Sequence, residues 1–386
     1  MKNIEKEISD VKTYLLDLRK FFHQHAEISG MEEVTSKRIR QELAKMNIEY
    51  EIVNDYSIIA FINRDKDKKC IAFRNGIDAL SIEDNSDYPY KSLNKNVSHA
   101  IGNDICTAAN LSILKILKKY EKSLNGTVIF IFESKGLGSE GPNEIINSNI
   151  LKNIDYLYYI VNLPQIKIGQ YTLGSGLKLV GSNTLLFKWQ GCENNNFDTF
   201  ENNDSVLASA SFALNIRNML ARNLNQAEIY NIVITRFNSG GYYNIIPNYC
   251  ELSLNLRYAN LDVKKKMHKI IKDYVHVLEN QYEVKVEVTS IADVPPLYND
   301  EEAIALARKS ALKLVNKAAI SNFSPITSSD PFSFYARKYK VAGIAYGSGE
   351  QDKKQHMYYT DKFNPSEKSF DYLLKLVLTI ITDYLA

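Results

Sequence analysis

Cys106 has a type and a setting that could do chemistry. It opens a stretch, Asp104–Tyr120, whose pattern predicts a helix, and a helix N-terminus favours the thiolate that makes cysteine nucleophilic. His99 and Asp104 stand close to it in sequence, so a Cys–His nucleophile is one reading. The other is a small buried residue facing the helix core. Lys135, just past a strongly apolar strand, would give a substrate carboxylate a charge-assisted partner, or is a solvated loop lysine. His356 suits a ligand or a metal, or a hydrogen bond within a polar cleft. Asn244 and Arg257 have the polarity to touch a ligand carboxylate, and equally the polarity for structural work in a turn and a strand.

The remaining cysteines, Cys70, Cys192 and Cys250, are scattered and form no CxxC pair. Neither a disulfide framework nor a zinc knuckle is indicated, and a reduced, cytoplasmic setting fits. The chain has 386 residues, which predicts two domains. Its 47 basic and 45 acidic residues are well mixed and present no basic face, so nucleic acid is not an expected partner. The N-terminal segment reads as a charged amphipathic helix, not a secretory signal. No apolar run approaches the roughly 18 residues of a membrane span, so no membrane association is expected.

The elements that would position these residues alternate. Helices are expected over residues 4–24 and 31–46, and strands at Glu49–Val53, Ser57–Ile62 and Cys70–Arg74. A polar loop follows at residues 83–98, then the helix at Asp104–Tyr120 and strands at Gly126–Phe132 and Tyr156–Val161. This order implies a mostly parallel sheet flanked by helices. The middle of the chain changes pattern. Strand Thr184–Gln190, helix Asp204–Arg222, strands Glu228–Arg236 and Cys250–Arg257, helix Leu261–Asn280 and strand Val284–Val288 spell βαββαβ, the ferredoxin-like split order. The predicted fold is therefore α/β: a discontinuous core domain of residues 1–177 and 293–386, with a small domain inserted at 178–292.

Several motifs occur in a recognisable order. His23-Gln24-His25-Ala26-Glu27-Ile28-Ser29 is similar to HQHPELS, and Ala72–Leu80 is similar to ALRADMDAL. Gly240-Gly241 followed by Asn244-Ile245-Ile246-Pro247-Asn248 is similar to GG…NVIPD, and Arg257 falls on the Arg of GTxR. Together they resemble the zinc aminoacylase, carboxypeptidase and auxin-conjugate hydrolase family (metallopeptidase family twenty), its bacterial amidohydrolase branch most of all. The resemblance implies an amidohydrolase using two zinc or manganese ions, a Glu general base, and a βαββαβ lid through which the chain forms a homodimer.

The same resemblance implies that the metal chemistry is missing here. Ile101 and Asn103 stand at the positions of the ligand Cys and His of HACGHDGHTA, and neither is an adequate donor. Gly136 stands where the general base should be, and Leu137 and Val161 stand at two further ligand positions. The lid histidine falls near Asn195, in Glu193–Phe197. Ser328-Ser329-Asp330-Pro331-Phe332 replaces GSEDF, and only His356 keeps a ligand type. No metal cofactor is therefore expected. Asp78 and Asp104, which match acidic residues near the family's metals, would instead bond each other, Lys135 or Arg74.

Three functions follow as expectations. One is a metal-free pseudoenzyme whose cleft binds a small acyl-amino-acid or peptide-like ligand, or a partner, through His356, Asn103, Asp78, Asn162, Asn244 and Arg257. Another is a metal-independent enzyme built on Cys106, Asp104, Lys135 or His356. The third is an ordinary zinc N-acyl-amino-acid amidohydrolase in a different register.

Overall fold

A computed structural model describes residues 4–64, 69–191, 194–195, 203–241, 243–322, 324–351 and 354–385. The chain begins with α1 (Ile4–Gln24), α2 (Glu33–Lys45), β1 (Glu49–Val53), β2 (Ser57–Ile62) and β3 (Cys70–Gly76). Then come α3 (Asn103–Lys119), β4 (Thr127–Glu133), α4 (Glu140–Asn147), β5 (Tyr156–Lys167), β6 (Tyr171–Thr172) and β7 (Gly176–Leu179). The middle holds β8 (Gly181–Gln190), β9 (Asn194–Asn195), α5 (Ser205–Asn223), β10 (Tyr230–Ser239), β11 (Ile245–Ile246), β12 (Tyr249–Tyr258), α6 (Leu261–Tyr282) and β13 (Lys285–Val294). The chain closes with β14 (Leu297–Asn299), α7 (Glu301–Ala311), β15 (Ile320–Ser321), β16 (Val341–Gly349) and α8 (Phe370–Leu385).

Two compact units emerge. One comprises Met1–Lys178, Tyr298–Ser324 and Pro331–Ala386; the other comprises Leu179–Leu297 and Pro325–Asp330. Pro325–Asp330 is drawn into the second unit by a parallel bridge between Leu179 and Ile326.

The first unit is built on a sheet of order β1-β2-β4-β3-β5-β16-β6-β15. Its centre is parallel: β4 with β3, β3 with β5, and β5 with β16. Every residue of β2, β3 and β4 is buried, and their middles are apolar, as strands covered on both faces should be. Phe73 stacks on Phe130 and on Tyr158, with ring centroids 5.4 and 5.5 Å apart, tying three parallel strands together on one face. Helices α1, α3 and α8 carry the apolar stripes that complete this core. Strand β5 runs on to Lys167, well past the Val161 expected from the sequence, because β16 keeps pairing with it through a register shift at Gly347–Gly349.

In the second unit β10, β12, β8 and β13 form an antiparallel sheet in that order, with α5 and α6 supplying the two crossovers. This is the ferredoxin-like βαββαβ arrangement. Its core packs Trp189 and Phe187 against Phe212, with centroids 5.5 and 4.8 Å apart. Both helices are capped from the sequence: the Asp204 and Asn260 side chains accept backbone N–H groups of the first turn.

Candidate functional site

The carboxyl ends of parallel strands are where open α/β sheets place their sites. Here β3 ends at Gly76, paired with Glu133 at the end of β4, and the turns that follow carry Asp78 and Lys135-Gly136-Leu137. Asp78 is only 2% exposed. Asn103, in the first turn of α3, donates its amide to Asp78 Oδ1 at 3.1 Å and to the Asp78 carbonyl at 2.9 Å. Asp78 Oδ2 is buried with no hydrogen-bond partner among the described residues. Burial, and then the neighbouring Glu32 carboxylate, push the Asp78 carboxyl up to about 7, with Arg74 pulling the other way. The backbone closes tightly on this group. A Cβ placed on Gly136 would stand 2.8 Å from Asp78 Oδ1, and one on Gly76 would stand 2.9 Å from the same oxygen.

Beside it lies a second buried carboxylate. Glu133 forms an ion pair with Arg74 and accepts the Tyr335 hydroxyl at 2.5 Å. Lys135 does not join either group. Its backbone takes the left-handed region, φ 56°, and its N–H donates to Glu32 Oε1 at 2.9 Å. Its Nζ reaches outward to Glu140 at 2.6 Å and Glu144 at 3.4 Å. Of the partners expected for Asp78, Lys135 is thus not one: two acidic residues of the next helix, α4, hold it near the surface.

Asp104 belongs to a different cluster. Its Oδ2 lies 2.9 Å from His23 Nδ1 and 3.6 Å from Arg19 Nε, while His23 Nε2 lies 3.1 Å from Asp84 Oδ2. Burial alone would lower His23, but the Asp104 and Asp84 carboxylates outweigh it and hold the imidazole up at about 9. It is therefore protonated at neutral pH and donates to both carboxylates. Burial would likewise raise Asp104, and the His23 hydrogen bond brings it down to about 2. Arg19 completes the cluster, donating from Nη1 to Tyr90 at 3.1 Å and Glu367 at 3.0 Å, and from Nη2 to the Tyr88 hydroxyl. Asp78 and Asp104 do not bond each other, as one sequence expectation had it: each has its own partners on different chain segments.

A Cys–His–Asp constellation is not assembled. Cys106 is buried in α3 with Sγ 3.7 Å from the Ile160 carbonyl, and burial pushes its thiol up to about 12. The N-terminal position in the helix, which favours a thiolate when the thiol is solvated, is overridden by the loss of water. His99 is buried as well, and burial lowers it to about 4. Asp104, the third member, is engaged by His23 and Arg19.

Of the positions that the resemblance assigns to metal ligands, Ile101, Leu137 and Val161 carry no donor atom and only His356 keeps one. Ile101 packs with Leu80, Ala100 and Phe363. Leu137 is 57% exposed. Val161 lies on β5, half-buried, and next to it Asn162 is satisfied internally, donating to Tyr346 at 3.1 Å and accepting from Ser348 at 2.7 Å. His356 is half-buried. Among the described residues no three His, Cys, Asp or Glu side chains are grouped so as to hold a metal ion. In the second unit Arg257 donates to Ser329 at 3.0 Å, and Asn244 is exposed. Asn195 lies in β9, paired with Ile245; Glu193, Asn196 and Phe197 lie outside the described residues.

Residues 72–383 match peptidase family M20/M25/M40. The chain belongs to this family. It is 25% identical over 329 residues to a Bacillus subtilis N-acetyl-L-cysteine deacetylase, covering 85% of this chain and 79% of that protein. It is 25% identical over 362 residues to the hippurate hydrolase of Campylobacter jejuni, covering 92% of this chain and 93% of that one. A crystal structure of a protein from methicillin resistant Staphylococcus aureus superposes with a TM-score of 0.92 at 27% identity, covering all of both chains. A Bacillus subtilis structure described as a dinuclear metal binding peptidase of this family superposes at 0.82 with 20% identity, covering 98% of this chain and 99% of that one. The residues at the positions that the resemblance assigns to the family's ligands do not fit a pair of metal ions: Ile101, Leu137 and Val161 carry no donor atom, and the Asn103 amide N–H group is turned toward Asp78.

Sequence reasoning missed the His23–Asp84–Asp104 cluster and the Glu133–Arg74–Tyr335 group. His23 was visible only as part of a resembling motif. Its partner Asp104 is 81 residues away in the chain, and no local pattern marks such a pair.

Proposed function

We propose that this family member has lost metal-dependent amide hydrolysis and retains the fold to bind a small acyl-amino-acid or peptide-like ligand, or a partner. The observation that carries the reading is the packing of Gly136 on Asp78. At the position of the general base there is no side chain, and the space a side chain needs is taken by a carboxyl group. Metal-assisted hydrolysis requires a metal to acidify water and a base to accept its proton. The residues at the corresponding positions support neither.

Asn103, Asp78, Asn162 and His356 are the groups we assign to ligand binding in the first unit, and Asn244 and Arg257 in the second. A cytoplasmic location and a homodimer formed through the βαββαβ unit are part of the same proposal. Among the described residues no helix is long and apolar enough to cross a membrane. The metal-independent enzyme built on Cys106, Asp104, Lys135 or His356 has weaker support, since the thiol is pushed up to about 12 and Lys135 is held by Glu140 and Glu144.

The test is turnover of N-acetyl and N-benzoyl amino acids by the purified full chain, with added zinc or manganese and with chelator. The proposal expects no turnover above buffer in any condition, together with a saturable thermal shift from at least one of these compounds. Turnover abolished by the chelator would overturn it.

A further inference from the structure

We propose that the outer edge of β13, roofed by α6, is a docking site for an acidic peptide in extended conformation. The sheet order places β13 at an edge, paired with β8 on one side and with no strand on the other among the described residues. The straight part of this edge runs from Lys285 to the β-bulge at Ser290–Ala292. Its outward groups can be assigned. The Val286 N–H donates not to β8 but to Glu279 Oε1 on α6, at 3.0 Å. In an antiparallel pair successive residues alternate between facing the partner strand and facing away. Val288 therefore also turns its N–H and C=O outward, and its side chain is 43% exposed.

Above this edge lies a groove of about 600 Å³, within the range of ligand-binding clefts. Its floor is apolar, formed by Leu185, Ile271 and Val275. Its rim is basic. Lys269 and Lys272 line it, both exposed and neither in an ion pair among the described residues, with His276 beside them. The one acidic side chain in the lining, Glu279, is already bonded to the Val286 amide. An added strand would hydrogen-bond to Val288 and send every second side chain into the groove. Apolar groups would meet the floor, and carboxylates would meet Lys269 and Lys272. Charge complementarity thus selects an acidic, partly apolar peptide over a neutral or basic one.

The probe is a labelled, end-blocked peptide about nine residues long in which valine and glutamate alternate with threonine. Its binding to the full chain is followed by fluorescence anisotropy and by amide hydrogen exchange. We expect saturable binding that weakens with salt, and new protection at Val288. Lys269→Glu with Lys272→Glu should weaken binding by about tenfold or more. Val288→Pro removes an outward N–H that the sheet does not use, a substitution edge strands accommodate, and should weaken binding comparably without unfolding the unit. Lack of saturable binding, binding indifferent to these variants, or protection confined to other strands would overturn the proposal. So would light scattering that shows this edge already closed by a second copy, with Val288→Pro converting a dimer to a monomer.

Discussion

Gly136 abuts Asp78 so closely that a Cβ on the glycine would stand 2.8 Å from Oδ1 of the aspartate. The contact joins the turn after β4 to the turn after β3, the two turns where the resemblance puts a general base and an acidic residue. It is an intramolecular contact where a reactant or an ion would otherwise need room.

This contact predicts strain on enlargement. Gly136→Ala should lower stability by about 1–3 kcal/mol, the usual cost of overpacking. Removing the opposing carboxyl should relieve most of that cost, so Asp78→Ala and Gly136→Ala should be strongly non-additive. Urea denaturation of the four members of the cycle measures the coupling. Additive effects would mean that the two residues do not share this space.

Asp78 also sets a pH dependence. Its carboxyl moves from 3.8 to about 7 on folding, so the folded state binds more protons between those values. The contribution of Asp78 to stability therefore falls as pH rises from about 4 to about 7, then levels off. Asp78→Asn keeps a group able to accept the Asn103 amide and removes the buried charge. It should be more stable than wild type by about 2–4 kcal/mol at pH 8, with little gain at pH 4. The denaturation midpoints at the two pH values decide this; an equal gain at both would show that ionisation is not the cause.

His23 acts in a higher window. Its imidazole rises from 6.5 to about 9 on folding, so its contribution is fully present below about 6.5 and is lost as pH rises through about 9. His23→Gln should cost at least about 2 kcal/mol at pH 6, leaving Asp104 and Asp84 without a cation between them, and the difference should narrow by pH 9.5. The histidine signal followed by NMR titration gives an independent reading. A midpoint near 6.5 would contradict the bridging geometry.

Cys106 should be inert in the folded chain. A thiol that burial pushes up to about 12 has almost no thiolate at pH 8. Mass mapping after treatment with a thiol-directed reagent should find Cys106 unmodified until denaturant is added. Rapid labelling of the native chain at this residue would revive the nucleophile reading.

Much of the architecture was legible in the sequence because it is written in periodicity. The alternation of Cys250–Leu256 declared a strand with one apolar face, and β12 buries Cys250, Leu252, Leu254 and Leu256, while on the other face Glu251 and Asn255 are half-buried rather than wet and Ser253 is buried. The buried strand expected at Cys70–Arg74 and the strong strand expected at Gly126–Phe132 are β3 and β4, buried throughout. The two-residue strands β6 and β15 could not be read, since they are too short to show a period. The strand expected at Tyr156–Val161 runs on to Lys167 because β16 continues the pairing past Pro164. The candidate site was legible only by residue type. The resemblance puts Ile101, Gly136, Leu137 and Val161 where a base and metal donors would stand, but the sequence does not say what packs there. Asn103 on Asp78 and His23 on Asp104 join segments 25 and 81 residues apart, and tertiary packing alone specifies such pairs. Lys135 illustrates the converse. Nearness in sequence to the base position left a carboxylate-pairing role and a loop lysine both open, and its positive φ and the acidic residues of α4 favour the second.

The proposed loss of metal-dependent hydrolysis requires that this chain hold no pair of metal ions. Metal content tests this: purify the full chain without chelator, dialyse it against zinc or manganese, and count tightly bound ions by elemental analysis. None is expected. About two ions per chain, the number a two-metal hydrolase needs, would contradict it and make metal-dependent amide hydrolysis the activity to assay.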